Sequence, residues 1–143
     1  MIHVTKELAH KLRDIGFDVP TTDYWYDGDT GNNVDRFMQE QSAFNHNDED
    51  MCVSAPDLHC VTDWLREKHR LHVLVCTNTD HDGWIAGIQS KGTFEPIGVI
   101  NDDEPVATFS EALTSAIERA VDIVKTKMEN EAIGTMDRPD GQG

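Results

Sequence analysis

Basic residues are scarce in this 143-residue chain: 12 Lys and Arg stand against 27 Asp and Glu, a formal net charge of −15 at pH 7. A nucleic-acid backbone is gripped by a cationic footprint, so direct contact with DNA or RNA is not expected. Long apolar runs are missing as well. None approaches the roughly 18–20 residues of a membrane span, so no membrane association is expected. The opening Met1-Ile-His-Val-Thr-Lys-Glu7 has neither the basic region nor the apolar core of a secretion signal, and a cytoplasmic location is the expectation. Cysteine is limited to Cys52, Cys60 and Cys76. An odd count excludes an even disulfide framework and points to reduced thiols, half-buried as small hydrophobes. Aromatic residues are few, at 7%, and hydrophobic residues make up 38%. At roughly 100–200 residues per domain, this implies one domain over residues 1–130, with 131–143 as a flexible tail.

What is present reads best as amphipathic helices and short strands. Thr5 is placed to cap a helix in which Leu8, Ala9, Leu12 and Ile15 recur at helical spacing. Gly16 can close it in a left-handed conformation, with Phe17 folding back onto the last turn. Residues 19–50 show no clear periodicity. They read as a long acidic surface loop containing one short aromatic strand around Asp23-Tyr-Trp-Tyr-Asp27, then turn chemistry at Asp27-Gly-Asp-Thr-Gly31.

From Met51 the pattern sharpens. Met51-Cys-Val53 suits a short strand, and Pro56 or Asp57 opens a helix with Leu58, Val61, Trp64 and Leu65 on one face. Leu71-His-Val-Leu-Val-Cys76 is apolar throughout and reads as a central strand. Gly83-Trp-Ile-Ala-Gly-Ile88 reads as a second strand and Thr93–Ile100 as a third, which Pro96 confines to an edge or a bulge. Thr108 and Glu111 have capping-box spacing. After them Leu113, Ala116, Ile117, Ala120, Val121 and Val124 share one face, with Met128 extending the line. The expected fold is α+β: an antiparallel three-stranded meander between two amphipathic helices (α-β-β-β-α order), plus an N-terminal helix and the long acidic loop. Leu65, Trp64, Val73, Val75, Leu113, Ile117 and Val121 should be buried together. The same order occurs in double-stranded-RNA-binding domains, but Met51 to Ile100 holds only Arg66, Lys68, Arg70 and Lys91 to meet phosphates. That likeness stays at the level of fold.

Three stretches carry a resemblance. Lys6-Glu-Leu-Ala-His-Lys-Leu-Arg-Asp-Ile-Gly-Phe17, Ser54-Ala-Pro-Asp-Leu58 leading to Trp64-Leu-Arg-Glu-Lys-His69, and Phe109-Ser-Glu-Ala-Leu-Thr-Ser-Ala-Ile117 together resemble a group of small uncharacterised proteins of tailed phages, prophages and bacterial mobile elements. The group brings no known activity and no catalytic residue. It implies an accessory factor of phage or mobile-element origin.

Reactive constellations are weak. His59, Cys60, His69, His72 and Cys76 are close in sequence, but on a strand His72 and Cys76 lie about 13 Å apart at roughly 3.3 Å per residue. His59 and Cys60 on a helix diverge by about 100°. Counted from Asp27, the fifth, sixth and twelfth positions of a calcium loop hold Gly31, Asn32 and Met38, where an EF-hand has an oxygen ligand, Gly and Glu. Asp80-His81-Asp82 could do acid–base work, yet no nucleophile elbow or phosphate loop accompanies it. No metal and no cofactor are expected.

The charge is distributed unevenly. Residues 21–50 hold eight acids against Arg36 alone, net −7, and residues 101–143 are net −6, whereas residues 1–20 are neutral. Two interaction sites follow: the rings Tyr24, Trp25 and Tyr26, of types enriched at interface hot spots, and the carboxylates Asp48, Glu49 and Asp50. The expectation is a non-catalytic protein that acts by contact with a protein partner bearing a basic surface. The alternative is an acidic decoy that mimics nucleic-acid phosphates and inhibits a basic protein; a His/Cys metal protein or an enzyme ranks third.

Overall fold

Each helix begins where a side chain satisfies an otherwise bare amide. The computed structural model describes residues 2–26, 36–49, 51–77, 83–90, 96–100 and 104–137. In α1 (Lys6–Asp14) the Thr5 hydroxyl accepts from the Leu8 amide at 3.2 Å. Two turn bonds of 3.0 Å end it, Gly16 N–H to Arg13 C=O and Phe17 N–H to Leu12 C=O, with Gly16 at φ +89°. This closure requires a left-handed residue, and it returns the Phe17 side chain to the core.

Residues 21–54 build a sheet of their own. β1 (Thr21–Tyr26), β2 (Arg36–Phe44) and β3 (Cys52–Ser54) pair antiparallel in the order β2-β1-β3. This corrects the long-loop expectation: where a loop was read over 36–48, there is a nine-residue strand and a 3₁₀ turn (His46–Asp48). Every described side chain from Phe37 to Phe44 is exposed. Nothing therefore imposes an apolar alternation on β2, and the period that betrays most half-buried strands is missing. Its ladder also slips: Thr21 faces Phe44 while Asp23 faces Gln39.

The second half contains α2 (Leu58–His69), β4 (Leu71–Thr77), β5 (Trp84–Ser90), β6 (Pro96–Ile100) and α3 (Phe109–Asp137), with a sheet in the order β4-β5-β6, also antiparallel. Among the described residues the protein is thus a mixed α+β fold with three helices and antiparallel sheets. The Asp57 carboxylate caps α2 by accepting from the Cys60 amide at 2.9 Å. Arg70, at φ 58°, then turns the chain straight into β4. β4 is an edge strand rather than the central one expected, and Leu74 is 39% exposed with Cys76 also at the surface. Among the described residues α3 and α2 pack on β4 while Leu74 and Cys76 stay at the surface, so the apolar run marks one packed face and one open face. The centre belongs to β5, whose Ala86 and Ile88 are buried. Pro96 starts the edge strand β6, beside a register shift between Ile88 and Gln89, where its missing N–H costs no interior ladder bond.

Thr108 accepts from the Glu111 amide at 3.1 Å, at the entry to α3. The entry is held by a backbone pair between Trp84 and Val106, at 2.8 and 3.1 Å. Gly83 is needed there: a Cβ on it would lie 2.5 Å from the Pro105 Cβ. Leu113, Ala116, Ile117, Ala120, Val121 and Val124 form the buried face of α3. Past Val124 the described side chains, Met128 among them, are exposed. The helix nevertheless runs on through residues 131–137, which the sequence assigned to a tail; 138–143 lie outside the described residues. The core draws on both halves: Val53 of β3, Leu65 and Trp64 of α2, Ile88 of β5 and Ile117 of α3 belong to one cluster, with Val73 and Val75 packed on it. No described helix is long and apolar enough to cross a membrane.

Candidate functional site

The aromatic trio sits on the central strand of the first sheet, and strand geometry divides it. Residues directly opposite one another across antiparallel strands share a face. Trp25 therefore lies in a row with Phe37 and Val53, whereas Tyr24 lies with Met38 and Ser54 on the other side. The Trp25 row turns inward at Trp25 and Val53, while Phe37, on the edge strand, stays 37% exposed. The Trp25 indole N–H donates to the Val4 carbonyl at 3.1 Å, its ring meets Phe37 edge-on at 5.1 Å, and it packs on the core.

The Tyr24 row builds an outer layer around a residue the sequence did not single out. His46, from the 3₁₀ turn, is fully buried between Tyr24, stacked at 4.2 Å, and Phe44 at 3.9 Å. Its Nε2 is 3.0 Å from the Thr21 carbonyl. A carbonyl can only accept, so Nε2 carries the hydrogen; Nδ1 is left facing Glu49 Oε2 at 3.9 Å. The Tyr24 hydroxyl donates to Glu40 at 3.3 Å. Desolvation and the Glu40 carboxylate hold this phenol above its ordinary value.

Asn47 pins the turn. Its amide nitrogen donates to Phe17 C=O at 2.8 Å and its oxygen accepts from the Ser54 amide at 2.9 Å. Asp48 and Glu49 are thereby held exposed on a turn that packs against β3; Asp50 lies outside the described residues. Phe37, Met38 and Phe44 add exposed apolar area along the same strand. The result, among the described residues, is a sheet edge with apolar side chains and the Glu40 carboxylate along it. Only the exposure of the rings could have suggested it, and no periodicity reported that.

A second cluster brings together groups that the sequence separated widely. His3, Asp23, Asp57 and Cys60 line a cavity of about 310 Å³ with Thr21 and Thr22. His3 Nε2 is ion-paired with Asp23, which also accepts from the Thr22 hydroxyl at 3.2 Å. An imidazole–carboxylate pair beside a thiol has the parts of a nucleophilic site. The thiol is in the wrong state: burial, then Asp57 and Asp63, push Cys60 upward, away from the thiolate that attacks. The pair serves instead to clasp the N-terminal segment, which also bonds through Val4 N–H to Pro56 C=O and Leu58 N–H to Ile2 C=O, at 3.1 and 3.0 Å.

The remaining sequence candidates are dispersed. His72 and Cys76 are four apart on β4, His69 ends α2 and His59 is exposed on it. Among the described residues no three His, Cys, Asp or Glu side chains come together as a metal site. Asp80, His81 and Asp82, and the loop from Asp27 to Asp35, lie outside the described residues. No family model, curated protein or solved structure matches the chain.

Proposed function

We propose that this is a non-catalytic protein that acts by protein–protein contact through the edge of its first sheet. The observation that carries this reading is the nine-residue strand β2, at a sheet edge with Phe37, Met38 and Phe44 exposed along it. An edge strand offers unpaired backbone groups to a partner strand, and apolar side chains add burial on contact. The Glu40 carboxylate on this strand and the acidic balance of residues 21–50 favour a partner with a basic surface and disfavour acidic ones. By the resemblance of its three motifs alone, the partner belongs to a phage or mobile-element setting in which this chain is an accessory factor.

A second reading, the acidic decoy, is favoured by one specific observation: Asn47 holds the turn that presents Asp48 and Glu49. Partner capture by affinity purification, followed by binding measurements on the purified pair, separates the two readings. Edge pairing should survive about 0.5 M salt, where the screening length falls to roughly 4 Å, and Met38→Lys should weaken it about tenfold or more. A decoy should lose its partner at that salt and with the Asp48→Asn, Glu49→Gln pair. Binding indifferent to all three changes would sink both readings.

A further inference from the structure

The chain is strongly acidic, yet one cavity has no acid in its lining. It measures about 390 Å³ and lies where the end of α2 meets β5 and α3. Lys68, Arg70 and Lys127 line it together with His69 and the Ser90 hydroxyl, and Leu71, Ile123 and Val124 complete it with an apolar wall. Three of the twelve Lys and Arg residues thus converge on one hollow in a protein of net charge −15. Cations in the last turn of a helix are explained by its dipole. That accounts for Lys68 and His69, but not for Lys127, which arrives from α3. The His69 ring lies edge-on against Trp64 at 4.8 Å, with its Nε2 shut off from solvent.

From this convergence of cations beside an apolar wall, we propose that the cavity binds a small phosphomonoester. The phosphate lies against Lys68, Arg70 and Lys127, and the organic part lies against Leu71, Ile123 and Val124. Ammonium and guanidinium groups make charge-assisted bonds to phosphate oxygens, and the volume sits in the range of small-molecule pockets. The local field agrees in sign: desolvation, then Lys68 and Lys127, hold the His69 imidazole below its ordinary value. The adjoining groove along α3 shares Ile123 and Lys127 but includes Asp122 and Glu131, so its charge is mixed where this cavity's charged lining is cationic. This site is independent of the β2 edge.

The test is an NMR titration of the intact protein with phenyl phosphate, inorganic phosphate and, as a neutral control, benzyl alcohol. Phenyl phosphate should bind saturably and move the His69 ring resonances. It should also raise the His69 titration midpoint, because a dianion opposes the field of Lys68 and Lys127. Loss of one charged partner should weaken binding about tenfold, so Lys127→Ala should do so and Lys125→Ala, one position outside the cavity lining, should not. Both lysines are exposed, and neither change should alter the fold. The proposal is overturned by the absence of saturable shifts, by equal affinity for inorganic and phenyl phosphate, or by an affinity that Lys127→Ala leaves unchanged.

Discussion

The two three-stranded sheets are stabilised by different means. β4-β5-β6 lies against α3, and small side chains make the contact close: Ala86 of β5 meets Ala112 and Ala116 of the helix. β2-β1-β3 is covered on its inner face through Trp25 and Val53, while its outer face holds a buried imidazole, a tyrosine and an amide-pinned turn. Apolar burial is nondirectional and tolerates volume-conserving change. A polar inlay is directional, and each of its groups becomes a cost when its partner is removed. The second sheet is therefore suited to rigidity, and the first to presenting a defined surface.

Removing apolar volume from the shared core should produce the largest effect. Ile117→Ala deletes a fully buried side chain and should cost about 2–5 kcal/mol in urea unfolding; a loss below about 1 kcal/mol would mean that this face of α3 is not in the core. Next is His46→Ala, which removes the ring between Tyr24 and Phe44 and orphans the Thr21 carbonyl. A cost of about 1–3 kcal/mol is expected. Trp25 emission should change while the Trp84 environment stays intact, and equal changes at both indoles would erase the distinction between the sheets. Gly16→Ala comes third. A Cβ there meets nothing within 4 Å, so only the left-handed backbone opposes it, at about 1–2 kcal/mol.

The smallest effect concerns pH. The Cys60 thiol is held above its ordinary value by burial, Asp57 and Asp63, so the folded state keeps this proton more tightly than the unfolded chain. Its contribution to stability is complete below the ordinary thiol value of about 8.5 and is lost as pH rises through the raised one. Alkylation should follow the same order. At mildly alkaline pH the exposed Cys76 should react before Cys60, as peptide mapping by mass spectrometry would show; the reverse order would contradict the state assigned to the cavity beside His3.

Helix ends were the most legible features. Thr5, Gly16, Asp57 and Thr108 are local signals, and each acts within a few residues of itself. The buried face of α3 was equally clear, because helical burial repeats at a fixed period. β2 was invisible for the converse reason: its side chains are exposed, and its pairing is carried by backbone that every residue possesses. The continuous apolarity of Leu71–Cys76 misled, since an edge strand with one open face can be as apolar as a central one. At the candidate sites, Tyr24, Trp25, Asp48 and Glu49 were named from residue type. His46, which organises them, carries no local mark because its partners Thr21, Tyr24 and Phe44 are distant or out of period.

From the sequence alone came the acidic balance, the helix starts, the stripe that α3 buries and the α+β class. All of these depend on composition or on interactions spanning a few residues. The division into two sheets, the burial of His46, the pairing of His3 with Asp23 and the meeting of Lys127 with Lys68 were decided by tertiary structure. They join segments from 20 to 59 residues apart, and no one-dimensional pattern records which surfaces the chain brings face to face.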